Sequence, residues 1–174
     1  RVEGLAGVTA LAAGSAHMVA LGSDGSLWAW GAAGLVGDGS TLTRTRPVQL
    51  TSGVVWSAIS SSHRHTLALA SDGSVYAWGD NDYGQLGDGS TSARMAPVRL
   101  TGLPPSIVAV SAGAYHSLAL AADGTVYAWG DGSAGQLGAS GSSFSPRKLT
   151  GLPAMRAITS GGGHSLALGL DGRV

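Results

Sequence analysis

Residues 113–130 read GAYHSLALAADGTVYAWG, and the same pattern occurs four times along the chain. The other copies are GSAHMVALGSDGSLWAWG at residues 14–31, SHRHTLALASDGSVYAWG at residues 62–79 and GGGHSLALGLDGRV at residues 161–174. Their histidines, His17, His65, His116 and His164, are separated by 48, 51 and 48 residues. A period of this size is typical of a propeller blade or a solenoid unit. The chain is therefore predicted to be a single repeat array.

Each unit contains short apolar segments separated by turns. In the second unit the predicted strands cover residues 54–60, 66–70 and 75–78, and a fourth strand begins at Pro97. Proline suits an edge strand because it has no backbone N–H to donate to a neighbour. Four antiparallel strands with a proline in the outermost one fit a propeller blade better than a sandwich.

An Asp-Gly pair follows each repeated histidine by seven residues. The four aspartates are Asp24, Asp72, Asp123 and Asp171. Asp-Gly between two apolar runs indicates a hairpin, with a type I′ turn in which both central residues have positive φ. These aspartates are therefore assigned to turns, with no catalytic role.

The composition limits the possible partners. The chain has 10 Lys and Arg against 10 Asp and Glu, a net charge of zero, and only 11% charged residues. Such a chain has no basic stripe for nucleic acid, and it lacks the long apolar stretch needed for membrane insertion. Cysteine is absent, which excludes disulfides. We expect a soluble protein without a targeting segment, bacterial by its alanine and arginine usage, in a compartment that the sequence leaves open.

The candidate catalytic and metal-binding residues form no recognisable site. Histidines at one repeat position are held apart around a propeller, so each is expected to bond nearby loop backbone. His63 and His65 form a pair without a third metal ligand. Asp80, Asp82 and Asp88 lack the later glutamate of a calcium-binding loop. The prediction is that the chain is not an enzyme and holds no metal or cofactor.

The tryptophans are expected to serve packing. Trp30, Trp78 and Trp129 end equivalent strands and are predicted to lie between blades. Trp56 has no counterpart in the other units, and packing is favoured over an exposed contact because tryptophan is largely buried on average.

The motifs Gly-x-x-His-Ser-Leu-Ala-Leu, Asp-Gly-x-Val-Tyr-Ala-Trp-Gly and Gly-Gln-Leu-Gly resemble the repeat of the regulator of chromosome condensation family. The resemblance covers nearly the whole chain and implies a β-propeller, usually of seven blades. The fold class is thus all-β, a β-propeller of four-stranded antiparallel blades. About three and a half units are present in residues 1–174, at approximately 1–48, 49–98, 99–147 and an incomplete 148–174.

An open array of this kind exposes unpaired strand edges and apolar blade faces. Two arrangements would cover them. The chain is either part of a longer polypeptide or half of a seven-bladed ring that a homodimer closes, and the first is favoured.

Comparison of the units suggests a binding surface. Positions that differ between units concentrate in the loops between the first and second strands and between the third and fourth strands, which share one face of an antiparallel blade. The candidate partner-binding residues are His63, Arg64, Asp80, Asn81, Asp82, Tyr83, Tyr115 and Asp131. Tyrosine and arginine are enriched in interface hot spots, so Arg64, Tyr83 and Tyr115 are the predicted anchors for a protein ligand.

The function expected from these observations is a non-catalytic scaffold for protein–protein interaction. The resemblance implies two alternatives: a guanine-nucleotide exchange factor for a small GTPase, and a protein inhibitor of an enzyme such as a β-lactamase.

Overall fold

The computed structural model describes residues 2–51 and 53–174, and every regular element in them is a β-strand. The first sheet contains β1 (Val8–Ala13), β2 (His17–Gly22), β3 (Leu27–Gly31) and β4 (Arg44–Gln49). The second contains β5 (Trp56–Ser62), β6 (His65–Ala70), β7 (Val75–Gly79) and β8 (Arg94–Arg99). The third contains β9 (Ile107–Ala112), β10 (His116–Ala121), β11 (Val126–Gly130) and β12 (Ser143–Lys148), and the fourth contains β13 (Met155–Ser160) and β14 (Ser165–Gly169).

Each sheet is an antiparallel meander in sequence order. The first strands of successive sheets, β1, β5, β9 and β13, contact one another in series, as the inner strands of blades do around a propeller axis. The predicted all-β fold class, a partial β-propeller of four-stranded antiparallel blades, is confirmed. No helix long and apolar enough to cross a bilayer occurs in the described part of the chain.

The outermost strand of each four-stranded sheet begins earlier than the sequence indicated. In the second sheet β8 starts at Arg94, which pairs with Gly79, and the register then shifts before Val98 pairs with Ala77. Pro97 lies inside this strand rather than at its start. The proline is tolerated there because β8 pairs with β7 alone among the described strands, and its other edge donates to none of them.

The Asp-Gly hairpins are present, but the predicted type I′ turn is wrong. Gly73 has a φ of +81°, whereas Asp72 is not among the described residues with positive φ. The Gly73 N–H donates to the carbonyl of Ala70, and the Asp72 carboxylate accepts from the Ser74 N–H at 2.9 Å. The aspartate therefore closes the turn through its side chain, so only the glycine needs the left-handed conformation.

The core lies between sheets. One buried cluster joins the first and second sheets and includes Leu27, Trp56 and Trp78. Another joins the second and third sheets and includes Leu86 and Trp129. Trp78 and Trp129 are completely buried, which confirms their predicted position between blades.

Trp30 in the first sheet is only half-buried. Trp56 packs edge-on against Tyr76, with ring centroids 5.0 Å apart, so the packing role expected for Trp56 is confirmed.

A glycine in the preceding sheet makes room for each buried indole. A Cβ at Gly37 would lie 2.6 Å from Nε1 of Trp78, and a Cβ at Gly87 would lie 2.5 Å from Nε1 of Trp129. Both glycines also have positive φ. The tryptophan at the end of the third strand of one blade therefore packs directly on a glycine in the loop after the third strand of the preceding blade.

The repeated histidines do not bond loop backbone as expected. Instead, Nε2 of His17, His65 and His116 bonds the hydroxyl that follows the histidine of the next sheet. His17 reaches Thr66 at 2.8 Å and His65 reaches Ser117 at 2.9 Å. The Ser117 hydroxyl itself donates to the carbonyl of Gln85, so it must accept from His65 and Nε2 carries the proton. His116 and Ser165 repeat this arrangement.

Burial keeps these histidines neutral. Desolvation, with smaller contributions from His116 and His17, lowers the pKa of His65 from its usual 6.5 to about 3. Desolvation and the nearby Arg64 lower the pKa of His17 to about 4. The Nδ1 atoms of His17, His65 and His116 are buried without a hydrogen-bond partner in the described residues, so a second proton would have no acceptor there. The histidines act as neutral links between blades.

Candidate functional site

The loops predicted to share one face do so. Within the second sheet the Asp80 N–H donates to the carbonyl of Arg64, and within the third the Asp131 N–H donates to the carbonyl of Tyr115. These bonds tie the loop after the third strand to the loop before the second strand of the same blade. We call this surface the loop face. All eight candidate partner-binding residues belong to its loops, although the Asn81 side chain is buried beneath the surface.

Three of the candidates meet on the loop face across the boundary between the second and third blades. The ring centroid of Tyr115 lies 5.2 Å from that of His63 and 4.7 Å from that of Tyr83. Tyr83 is 47% exposed and Tyr115 is 37% exposed. We call His63, Tyr83 and Tyr115 the aromatic cluster. It comes from three loops, and the sequence indicated its members but not their contact.

His63 has an unusual backbone for its residue type. It has a φ of +39°, the only positive value at a non-glycine among the described residues. Its carbonyl accepts from both the N–H and the hydroxyl of Ser15, each at 2.7 Å, which connects the first and second blades. Its Nδ1 is buried and has no hydrogen-bond partner in the described part of the chain. Such a left-handed conformation costs about 1 kcal/mol or more and persists only where the surroundings enforce it.

Arg64 and Asp80 form an ion pair beside the cluster. Nε of Arg64 lies 2.9 Å from Oδ2 of Asp80, and 48% of the Arg64 side chain is exposed. An exposed pair of this kind contributes little to stability, about 0–1 kcal/mol. It does limit the orientation of the guanidinium, so the cluster has a positioned cation next to it.

Asn81 is wrongly predicted as a partner-binding residue, because it is completely buried. Its Nδ2 donates to the carbonyls of Ser90 and Ser92, and its Oδ1 accepts from the Leu86 N–H. All of its hydrogen bonds therefore organise its own loop.

The Asp131 carboxylate also makes its hydrogen bonds within its own loop. Its carboxylate accepts from the Ser133 N–H at 3.0 Å and from Nε2 of Gln136 at 2.9 Å. Burial alone would raise the pKa of the Asp131 carboxyl. The hydrogen bonds to the carboxylate have the larger combined effect, so the pKa lies below its usual value. Asp82 is exposed, next to Tyr83. The accessible candidates are therefore the aromatic cluster, Arg64, Asp80 and Asp82.

No group of three or more histidine, aspartate or glutamate side chains that could hold a metal ion occurs in residues 2–51 and 53–174. His63 and His65 diverge: the first belongs to the aromatic cluster, and the second bonds Ser117 in the interior. Asp88 bonds Arg94 and Ser90 rather than facing Asp80 or Asp82.

The four-stranded antiparallel meanders, whose first strands contact one another in series, place the chain in the class of repeat β-propeller proteins. The chain belongs to the regulator of chromosome condensation (RCC1) repeat family. One model of this repeat matches residues 72–120 and 123–168, and a second matches residues 8–34, 56–85 and 107–136.

Two curated relatives are similar to most of the chain. The ultraviolet-B receptor UVR8 of Arabidopsis thaliana is 35% identical over 133 residues, which are 74% of this chain and 30% of UVR8. The E3 ubiquitin-protein ligase HERC2 of Homo sapiens is 32% identical over 145 residues, which are 79% of this chain and 3% of HERC2. The chain therefore spans less than a third of either relative.

Among solved structures, Prp20p of Saccharomyces cerevisiae superposes with a TM-score of 0.83 at 26% identity. The superposition covers 94% of this chain and 44% of Prp20p. That structure was described together with the binding of Prp20p to Gsp1p and histones.

Proposed function

We propose that this chain is a non-catalytic scaffold that binds a protein partner on its loop face. The observation that carries the proposal is the aromatic cluster of His63, Tyr83 and Tyr115, with ring centroids 4.7 and 5.2 Å apart. Two tyrosines of this exposure in mutual contact form a preorganised apolar surface with polar rims. Tyrosine supplies large contact area at a low cost in conformational entropy.

The polar groups around the cluster fit the same role. Arg64 and Asp80 each retain hydrogen-bonding capacity beyond their mutual bond, since a guanidinium has five N–H donors and a carboxylate accepts several bonds. The Arg64 side chain is about half exposed. A partner that covers the tyrosines can therefore bond to oriented charges at their edge, which favours specificity.

The family supports a protein as the ligand. Prp20p, which is similar to this chain over 44% of its own length, binds Gsp1p and histones. The loop face of this chain carries both signs of charge, so the partner is proposed to be a folded protein with mixed polar and apolar surface rather than a polyanion.

The alternative of nucleotide exchange on a small GTPase rests on the likeness to Prp20p. A nucleotide-release assay separates the two roles. Accelerated release from a small GTPase would replace the scaffold proposal with exchange activity, and an unchanged rate with retained binding would support the scaffold.

Site-specific photo-crosslinking tests the binding surface. A photoreactive phenylalanine analogue is introduced at Tyr83 or Tyr115, and at exposed Val55 as the control, since Val55 lies beside the Asp-Gly turns on the opposite face. In extracts of the source organism, the two loop-face positions are expected to crosslink one protein that Val55 does not. The Arg64→Ala, Tyr83→Ala, Tyr115→Ala triple variant should lose that protein in a pull-down. Equal capture by the triple variant would overturn the proposal.

A further inference from the structure

The exposed aromatic surface on the loop face extends beyond the aromatic cluster to Phe144 of β12. A Cβ at Gly84, the residue after Tyr83, would clash with the Phe144 ring. The Gly89 N–H donates to the Phe144 carbonyl at 2.9 Å. Phe144 is 48% exposed, and it was not among the residues predicted to bind a partner. The boundary between the second and third blades therefore carries exposed rings from Tyr115 through Tyr83 to Phe144.

The other boundaries between blades lack these rings. At the boundary between the first and second blades, the residues equivalent to Tyr83, Tyr115 and Phe144 are Ala33, Arg64 and Met95. Between the third and fourth sheets, the residues equivalent to the two tyrosines are Ala134 and Gly163. The repeat therefore does not require exposed aromatic residues at these positions. They distinguish one boundary, and both blades that form it have all four strands.

An unpaired carboxylate lies next to this aromatic surface. The neighbouring acidic groups are already satisfied: Asp80 pairs with Arg64, Asp88 pairs with Arg94, and Asp131 accepts hydrogen bonds from its own loop. The Asp82 carboxylate is exposed and accepts no hydrogen bond from the residues that the structure describes. Because Asp82 directly precedes Tyr83, its negative charge favours a cationic group beside the tyrosine rings.

The tyrosine rings suit the same kind of ligand. The rings of Tyr83 and Tyr115 are tilted by 46° with their centroids 4.7 Å apart, so neither ring fully covers the other. The face of an aromatic ring attracts a cation that lies within about 6 Å of the ring centroid. The planar guanidinium of arginine stacks on such a face and also forms paired hydrogen bonds with a carboxylate, which a lysine ammonium does not.

We propose that Tyr83, Tyr115 and Asp82 bind an arginine side chain of the protein partner, and that Phe144 contacts an apolar residue beside that arginine. The ligand is thus an extended segment of the partner in which apolar residues flank an arginine. This inference rests on the proposed function, because it names the chemistry that the loop face recognises.

Fluorine NMR of the 174-residue chain labelled with 3-fluorotyrosine tests the site. The probe is the peptide GSLRLGSG. The chain has four tyrosines, and Tyr76 and Tyr127 pack against the buried clusters between blades, so they are internal controls. Titration with the peptide is expected to shift the Tyr83 and Tyr115 resonances in a saturable manner. The resonances of Tyr76 and Tyr127 should stay in place.

Two altered peptides test which property of the arginine is recognised. Citrulline has a similar planar shape and retains N–H donors but carries no charge, so the citrulline peptide should bind about tenfold more weakly. Lysine keeps the charge but lacks the planar group, so the lysine peptide should bind about two- to fivefold more weakly.

A pair of protein variants tests the carboxylate. Asp82→Asn removes the charge and should weaken binding of the arginine peptide about fivefold, because the guanidinium loses its ionic partner. It should leave binding of the citrulline peptide unchanged. Asp123→Asn is the matched control: it removes an exposed charge on the opposite face, and its amide oxygen can still accept from the Thr125 N–H. This control should bind the arginine peptide as the wild type does.

A second pair tests the contact with Phe144. Phe144→Thr copies the equivalent residue of the first unit, Thr45. It should weaken binding of GSLRLGSG about threefold, because apolar contact area is lost, and leave binding of GSGRGGSG unchanged. Met95 is 42% exposed at the other boundary, so Met95→Thr is the control and should bind both peptides normally.

Three results would overturn the inference: no saturable shift at Tyr83 and Tyr115, equal affinity for the arginine and citrulline peptides, or unchanged arginine binding by Asp82→Asn. The proposed function fails on a different result. If the arginine peptide binds as expected but the triple alanine variant still captures its protein, the partner binds elsewhere. If the triple variant loses that protein while Asp82→Asn retains it in full, the loop face binds its partner without recognising arginine.

Discussion

At the level of single residues, the repeated histidine has a structural function that depends on its being uncharged. His65 is completely buried and donates from Nε2 to Ser117 of the next blade. The sequence showed that the histidine recurs, but its partner was not predictable, because the hydroxyl lies 52 residues away. The signal that could have suggested the pair is that a hydroxyl residue, Thr66, Ser117 or Ser165, directly follows the repeated histidine in three units.

The free energy of unfolding should therefore decrease as the pH is lowered below about 6.5. The pKa of His65 is lowered from 6.5 to about 3 in the folded chain. Below pH 6.5 the imidazole therefore gains a proton in the unfolded state but stays neutral in the folded state. His65 alone is expected to reduce the free energy of unfolding by about 2 kcal/mol between pH 6.5 and pH 5.0.

Urea unfolding at several pH values measures this effect. His65→Gln keeps an N–H donor for Ser117 but has no proton to gain in this range. The variant should have a shallower pH dependence than the wild type, and an identical slope in both would contradict the assignment.

Asn81 shows where comparison of the repeats misled. It differs from Gly132, the equivalent residue of the third unit, and such variation suggested a free surface position. Instead, each unit closes this loop in its own way: Asn81 through its side-chain amide, and Gly132 through its backbone N–H, which donates to Ser142. Variation between repeats therefore identified the accessible tyrosines correctly but could not separate them from a buried, locally satisfied amide.

Asn81→Ala is expected to destabilise the chain by about 3 kcal/mol, because it leaves the Leu86 N–H and the Ser90 and Ser92 carbonyls without their partner. The neighbouring Asp82 is exposed, so Asp82→Ala should change stability by no more than about 0.5 kcal/mol. Chemical denaturation of the two variants measures the difference, and equal stabilities would refute the structural role of Asn81.

At the level of strands and turns, alternation and turn residues predicted most of the sheet. The second and third strands agree with the sequence to within a residue or two, since their runs of apolar residues are buried almost throughout. The fourth strand was less predictable because three of its residues precede Pro97 and are partly exposed. Turn type also escaped prediction, since the side-chain bond of Asp72 to Ser74 competes with the backbone geometry that Asp-Gly usually adopts.

The tryptophan–glycine packing can be tested with two matched glycines. Gly39 and Gly87 both have a φ of +79°, but a Cβ at Gly39 meets nothing within 4 Å, whereas one at Gly87 lies 2.5 Å from the Trp129 ring. Gly39→Ala should cost about 1 kcal/mol from backbone strain alone. Gly87→Ala should cost about 3 kcal/mol, because overpacking is added.

Thermal or urea unfolding of the two alanine variants provides the comparison. Since the backbone strain is the same, the difference between them measures the contact with the indole. Equal losses would mean that the Trp129 ring moves aside freely.

At the level of the whole molecule, stability depends on contacts between successive sheets. Each internal sheet is covered on both sides, whereas in residues 53–174 the fourth sheet has two strands and an exposed His164. Two-stranded sheets are marginally stable on their own. The repeat period made this architecture predictable, but the sequence could not show how the last sheet packs.

Hydrogen exchange of the 174-residue chain should reflect this gradient. Backbone amides of β14 are expected to exchange at least about tenfold faster than those of β6 and β10, because they open without disrupting the two large buried clusters. Exchange is followed by mass spectrometry on peptides that separate the three strands. Equal protection would show that the fourth sheet is covered in solution.

The histidine–hydroxyl bonds also make the units non-interchangeable, because each unit bonds the one before it through its hydroxyl and the one after it through its histidine. Thr66, Ser117 and Ser165 each bond the histidine of the preceding sheet, whereas the first unit has Met18 at that position. A thioether is only a weak acceptor. Copies of the second or third unit could therefore be duplicated in tandem with every histidine–hydroxyl bond intact. A copy of the first unit placed inside the array would leave one buried histidine unpaired unless Met18 were also replaced by threonine or serine.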